Sequence, residues 1–186
     1  MEESFSFEGA FPKIPEEFHC FETGKPFDHC IECSLPLIDA TESPYIITRA
    51  LQNSEPILEW AICGDCSERF REEISEESQE AIASFMATAK TGPDHILRSP
   101  TEKTSYCYIC ATPREQLVGY NIQAICSGEE LISMQAPLLV CHSCEEQAAE
   151  LLSKATKDHY DRFFEQHFGG PPGSAVDPEI WKLLSI

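Results

Sequence analysis

Eight of the ten cysteines in this 186-residue chain fall into four Cys-x-x-Cys pairs: Cys30/Cys33, Cys63/Cys66, Cys107/Cys110 and Cys141/Cys144. Between Cys33 and Cys63 lie 29 residues, between Cys110 and Cys141 lie 30, and the second quartet repeats the first about 77 residues on. Two cysteines two apart can turn both sulfurs toward one ion, and two such pairs supply the four soft ligands of a tetrahedral Zn²⁺ site. The spacing therefore predicts two Zn²⁺ ions per chain. A four-cysteine site is closed, with no position left for water or substrate, so its expected role is structural. No catalytic residue is nominated: no nucleotide loop, hydrolase elbow or acid–base constellation is visible. Glutamate pairs such as Glu72/Glu73 read as a solvated helix face.

Positioning these pairs requires a unit that the sequence writes twice. It opens with a tight cysteine pair, Cys30-Ile31-Glu32-Cys33 and later Cys107-Tyr108-Ile109-Cys110. A strand pattern follows at residues 45–50 and 120–125; each begins with Tyr and has Ile two residues on. Polar turn residues then lead into a second strand, 57–62 and 136–140, which runs into the second cysteine pair. After each second pair the pattern turns helical. One helix is expected from about Cys66 to Ala89, with Phe70, Ile74, Ala81 and Phe85 inward and Ser78 as a polar break. Another is expected from about Cys144 to His167, with Ala148, Leu151, Leu152, Ala155, His159 and Phe163 inward. The expected fold is thus α+β, two small zinc modules at residues 28–91 and 105–170. A Phe-rich arm (1–27) precedes them, a linker (92–104) joins them, and a tail (171–186) follows. Asp177-Pro178 predicts a short helix in that tail, with Ile180, Trp181 and Leu184 on its apolar face.

The order of knuckle, β-hairpin and helix, with ligands at Cys30, Cys33, Cys63, Cys66 and at Cys107, Cys110, Cys141, Cys144, resembles the treble-clef zinc finger. The resemblance covers residues 28–90 and 105–168 and implies fold and metal, while leaving function open. Some treble clefs are nucleases with a catalytic histidine on the hairpin. Neither hairpin here carries one, since His29 and His142 lie beside the cysteine pairs. Ligands could also interleave, as in RING-type folds, but the tandem repeat favours consecutive quartets. The runner-up function is redox chemistry, and a nucleic-acid-binding zinc finger comes third. Trp60-Ala61-Ile62-Cys63-Gly64-Asp65-Cys66 loosely resembles a thioredoxin turn, although no βαβ frame is evident and every pair has a partner pair. A zinc-releasing redox switch stays open beside it. Cys126 reads as a small core residue and Cys20 as packing, with ligation by His19 or Cys20 the alternative. His95, His159 and His167 are expected on surfaces or helix faces.

Composition narrows the partners. Apolar residues make up 42% of the chain, enough for a core, but each half has only about 70 residues, a size at which metal often supplements packing. The formal charge is −19; eight thiolates and two dications bring it to −23. Nucleic acid and anionic membrane surfaces should be repelled by such a chain. A protein partner with a basic surface fits the charge. The N-terminus Met1-Glu2-Glu3-Ser4 lacks the apolar stretch of a signal peptide, and no run of 18 apolar residues occurs. The expectation is a cytoplasmic zinc protein that acts through interaction. Five disulfides in a secreted protein are the competing use of ten cysteines.

Overall fold

A computed structural model of the protein describes residues 11–38, 43–132 and 136–169. The fold is α+β, built on one antiparallel sheet. In the first half β1 (Tyr45–Gln52) pairs with β2 (Glu55–Cys63), and Asn53 and Ser54, both at positive φ, make the two-residue turn between them. In the second half β3 (Gly119–Ser127) pairs with β4 (Glu130–Leu131) and with β5 (Leu138–Cys141).

The two halves do not form separate sheets. β1 and β3 lie side by side, antiparallel, so the order runs β2-β1-β3 with β4 and β5 beyond. The register is self-complementary. Tyr45 faces Cys126 and Tyr120 faces Leu51, while Tyr45 also faces Cys63 and Tyr120 also faces Cys141. Corresponding residues thus meet corresponding residues, as in a two-fold dimer, but within one chain. Tyr45, Ile47, Ala50, Tyr120, Ile122 and Ala124 are buried along this seam. Each is strand-favouring or small, which lets two hairpins join along one shared core.

Each predicted long helix is in fact two helices. The first is α1 (Gly64–Glu72) and α2 (Glu76–Met86); the second is α4 (His142–Glu150) and α5 (Lys154–Phe168), with a short α3 (Pro100–Lys103) between the halves. Serine causes both breaks. Ser75 caps α2 by accepting from Ser78 N, and Ser153 caps α5 by accepting from Thr156 N. The caps also serve one another: Ser75 N donates to Thr156 Oγ1 at 3.1 Å, and Ser153 N donates to Ser78 Oγ at 2.9 Å. Ser78, read as a polar break in an apolar stripe, is therefore fully buried at this crossing. The break rephases the second helix, leaving Leu151 and Ala155 exposed and burying Thr156 instead.

These breaks swing each second helix onto the opposite half. α5 covers the first hairpin: Phe163 and Phe164 pack on Trp60 at ring distances of 6.2 and 5.8 Å, and His159 Nε2 lies 3.1 Å from Phe70 O. On the other side Ile82, Phe85 and Met86 of α2 line one cavity together with Ile109, Leu138 and Val140 of the second half. The halves are interlocked by exchanged helices.

The stretch read as a linker is folded. Pro93–Leu97 is a 3₁₀ turn, and α3 carries a capping box formed by Ser99 and Glu102. His95, expected at a surface, is buried at 2% exposure, with Nδ1 3.1 Å from Tyr106 Oη and its ring against Tyr108. The described part of the arm also packs. Phe18 is buried, Ile14 N donates to Glu129 O, and the Arg49 guanidinium donates to the carbonyls of Glu17 and His19 while pairing with Glu59. Phe11 and Phe21 remain exposed. Phe5, Phe7 and the expected helix near Trp181 lie outside the described residues.

Candidate metal centres

Both knuckles are built by the same backbone device. Cys30 N donates to Leu35 O and Ser34 N to Cys30 O; in the second half Cys107 N donates to Thr112 O and Ala111 N to Cys107 O. Ser34 and Ala111 both take positive φ, near 60°, the strained position that closes the turn. Each knuckle is then tied to its hairpin, by Ile31 N to Ala61 O and by Tyr108 N to Leu139 O. The second pair of each quartet opens a helix: Cys63 is the N-cap of α1 and Cys141 that of α4. Thiolates at those positions meet the free N–H groups and positive dipole end of the helix. Gly64 lets α1 start close to the preceding loop, because a Cβ there would sit 3.0 Å from Pro44 O.

Knuckle and helix start bring four sulfurs together in each half. Cys30, Cys33, Cys63 and Cys66 form one group and Cys107, Cys110, Cys141 and Cys144 the other, all ligand atoms within 4.8 Å of one another. The quartets are consecutive, not interleaved. Cys33 Sγ lies 3.8 Å from Cys63 Sγ, and Cys110 Sγ lies 3.7 Å from Cys141 Sγ. A tetrahedral ion with metal–sulfur bonds near 2.3 Å spaces its sulfurs about 3.8 Å apart, whereas a disulfide requires about 2.05 Å. The donor set and spacing fit a metal ion in both places. Backbone N–H groups of Cys63 and Cys141 donate to Cys30 and Cys107 Sγ at 3.3 Å, orienting one sulfur in each group.

Electrostatics show why such groups call for a cation. The Cys141 thiol donates to Cys107 and holds it ionised, with its pKa lowered to about 4 despite burial. That charge and burial together push Cys141 up, and burial followed by the Cys107 charge pushes Cys144 up to about 12. In the first group burial raises Cys66 to about 12, against the opposing hydrogen bond from Arg69. Four crowded sulfurs, three of them buried in each group, cannot all carry charge without a counterion, and a dication removes that conflict.

The two centres differ around their edges. Cys33 is exposed, Cys110 is half-buried and the other six are buried. Arg69 Nη2 lies 2.8 Å from Cys66 Sγ, while Thr112 Oγ1 lies 3.1 Å from Cys110 Sγ. A further asymmetry sits beneath the helices. In the second half Asn121 Nδ2 donates to a buried Glu145 at 2.5 Å; Ile46 and Ser67 hold the corresponding places in the first half. Burial drives the Glu145 carboxyl well above its usual range, with the Asn121 hydrogen bond opposing. Nothing in the sequence pattern set Glu145 apart from the surface glutamates beside it.

Among the described residues neither metal group includes Cys20, His19 or Cys126. His19 holds its own loop, its ring nitrogens 3.2 Å from Gly24 O and from Ile14 O. Cys126 is fully buried in β3 and its thiol is pushed up to about 12 by burial, as befits a core residue. Among the described residues the strand pairs are all antiparallel, so Cys63-Gly64-Asp65-Cys66 is not seen in a thioredoxin-like frame with parallel strands. Among the described residues no helix is long and apolar enough to cross a membrane. No protein-family model, curated protein or solved structure matches the chain.

Proposed function

We propose that the chain is a non-enzymatic zinc protein of two treble-clef-like modules, whose ions are structural and whose activity is recognition of another protein. The observation that carries this reading is the pair of closed four-sulfur groups, each walled by a knuckle and a helix start. All eight ligands come from the chain, so the metal replaces core that each small half lacks. Thiolate ligation suits a reducing compartment such as the cytoplasm.

Zinc is favoured over other ions by an all-sulfur donor set and tetrahedral spacing. Elemental analysis of protein purified without added metal should give two Zn²⁺ per chain, with Cys20 the non-ligand cysteine that reacts under native conditions and the fully buried Cys126 reacting only after unfolding, besides slow attack at exposed ligands. A metal-free chain with five disulfides would overturn the reading.

For recognition, the charge of −19 before metallation and the exposed apolar residues Phe11, Phe21, Leu97 and Val118 support a protein partner with a basic surface. Such a complex, recovered with the full chain as bait and then measured with purified partner, should weaken as salt rises through the physiological range, where the Debye length is about 8 Å. Nanomolar binding to DNA or RNA at about 0.15 M salt would sink the proposal.

A further inference from the structure

The two sulfur groups share one backbone plan, so any difference in their reactivity must come from what surrounds them. Access is the first difference. Cys33 is the exposed ligand, whereas its counterpart Cys110 is half-buried. The second difference lies two residues further on. Thr112 reaches Cys110 Sγ at 3.1 Å, and since a thiolate sulfur can only accept, the hydroxyl donates. In the first half that place belongs to Leu35, an exposed side chain with no proton to give. A hydrogen bond to a thiolate withdraws charge from the nucleophilic sulfur and occupies one side of it. Cys110 has that protection, and among the described residues Cys33 has no such donor. Arg69 gives comparable protection within the first group, but to Cys66, which is buried.

Resting on the zinc reading above, we propose that the first centre is an oxidant-responsive modification site entered at Cys33, while the second centre is the inert structural anchor. The oxidant is hydrogen peroxide. The Cys33 sulfur attacks the peroxide, the O–O bond breaks, hydroxide leaves and Cys33 becomes a sulfenic acid. Cys63 Sγ, 3.8 Å away, then attacks the Cys33 sulfur; the S–S bond forms as the S–O bond breaks and a second hydroxide leaves. Two thiolates lose two electrons in total, the peroxide gains them, and solvent protonates both hydroxides. A quartet reduced to two thiolates no longer encloses its ion, but the new Cys33–Cys63 bond still ties the knuckle to the end of β2, so the chain keeps its fold where an unlinked loss of the ion would unfold it.

The consequence extends beyond the first half. Cys33 belongs to the knuckle that α5 pins from the other side, through His167 Nε2 to Glu32 Oε1 at 2.8 Å. Opening the knuckle removes that anchor and loosens the exchanged helix. A chemical signal read by one sulfur would thereby alter surface contributed by both halves.

The test uses the full chain, first shown to hold two Zn²⁺ by elemental analysis. Limiting hydrogen peroxide is added, zinc release is followed with a chromophoric chelator, and cysteine states are mapped by peptide mass spectrometry. Release should be biphasic, with the first ion leaving on the order of tenfold faster than the second. The fast phase should coincide with a disulfide inside Cys30–Cys66 and intact ligands at Cys107–Cys144. Leu35→Thr should slow the fast phase and Thr112→Leu should quicken the slow one, with no change in ligands. Equal release from both centres, or oxidation starting in the second quartet, overturns the inference and leaves the zinc reading standing. A chain that holds no zinc before peroxide is added overturns both.

Discussion

Cys66→Ser is expected to unfold the whole chain, not one half of it. Structural zinc contributes on the order of 10 kcal/mol or more to a small module. Net stabilities of domains lie at about 5–15 kcal/mol, so losing one ion consumes most of what there is. Two independent modules would confine that loss to residues 28–91. The observed joints forbid such confinement. β1, which follows the first knuckle, is the seam partner of β3, and α5 of the second half rests on Trp60 and Phe70 of the first. Zinc content should fall from two per chain to well below one, and far-UV circular dichroism should lose signal from both halves together. A mutant that keeps one zinc and a cooperative transition of its second half would show that seam and exchanged helices are energetically weak.

Phe163→Ala should weaken the first metal centre although Phe163 belongs to the second half. Its side chain is buried and sits 6.2 Å from Trp60 and 5.2 Å from Phe70, ring to ring. Trp60 lies on the strand that ends in Cys63, and Phe70 lies on the helix that begins just after it. Truncating a buried Phe costs about 3–5 kcal/mol. Part of that cost falls on the packing that holds β2 and α1 in ligand-bearing positions. Thermal stability should drop accordingly, and a competing chelator should strip the first zinc faster than in the parent chain, with the second ion following it rather than leading. Mass spectrometry of alkylated cysteines tells the two centres apart. Preferential loss from Cys107–Cys144 would contradict the helix exchange.

The ligand quartets and the repeated unit were legible in the sequence because each is a local pattern. Cys-x-x-Cys spacing fixes what a knuckle or a helix start can present, and alternation at residues 45–50 and 120–125 marks strands whatever they pair with. The approximate helix positions followed from the 3.6 period in the same way. The breaks at Ser75 and Ser153 did not, because serine inside a helical stripe reads equally as a solvated residue or as a cap. What chose the cap was a partner far away in sequence: Ser75 meets Thr156, and Ser153 meets Ser78.

Everything that joins the halves belonged to the tertiary structure. Each half carries its own pattern of apolar strands and polar turns, and nothing in residues 45–52 says that their free edge will be covered by residues 119–127. That pairing is decided by which apolar surface is left over once each knuckle has closed. The burial of His95 and Glu145 was hidden for the same reason, since a titratable side chain carries no sequence mark of the cavity that will enclose it. The sequence by itself determined that eight sulfurs would gather as two sets of four, because ligand spacing is a property of a few consecutive residues. Only the tertiary structure decided that the two sets share one sheet, exchange their second helices and leave Cys33 exposed while Cys110 is shielded, because those outcomes depend on surfaces that exist only after the chain has folded.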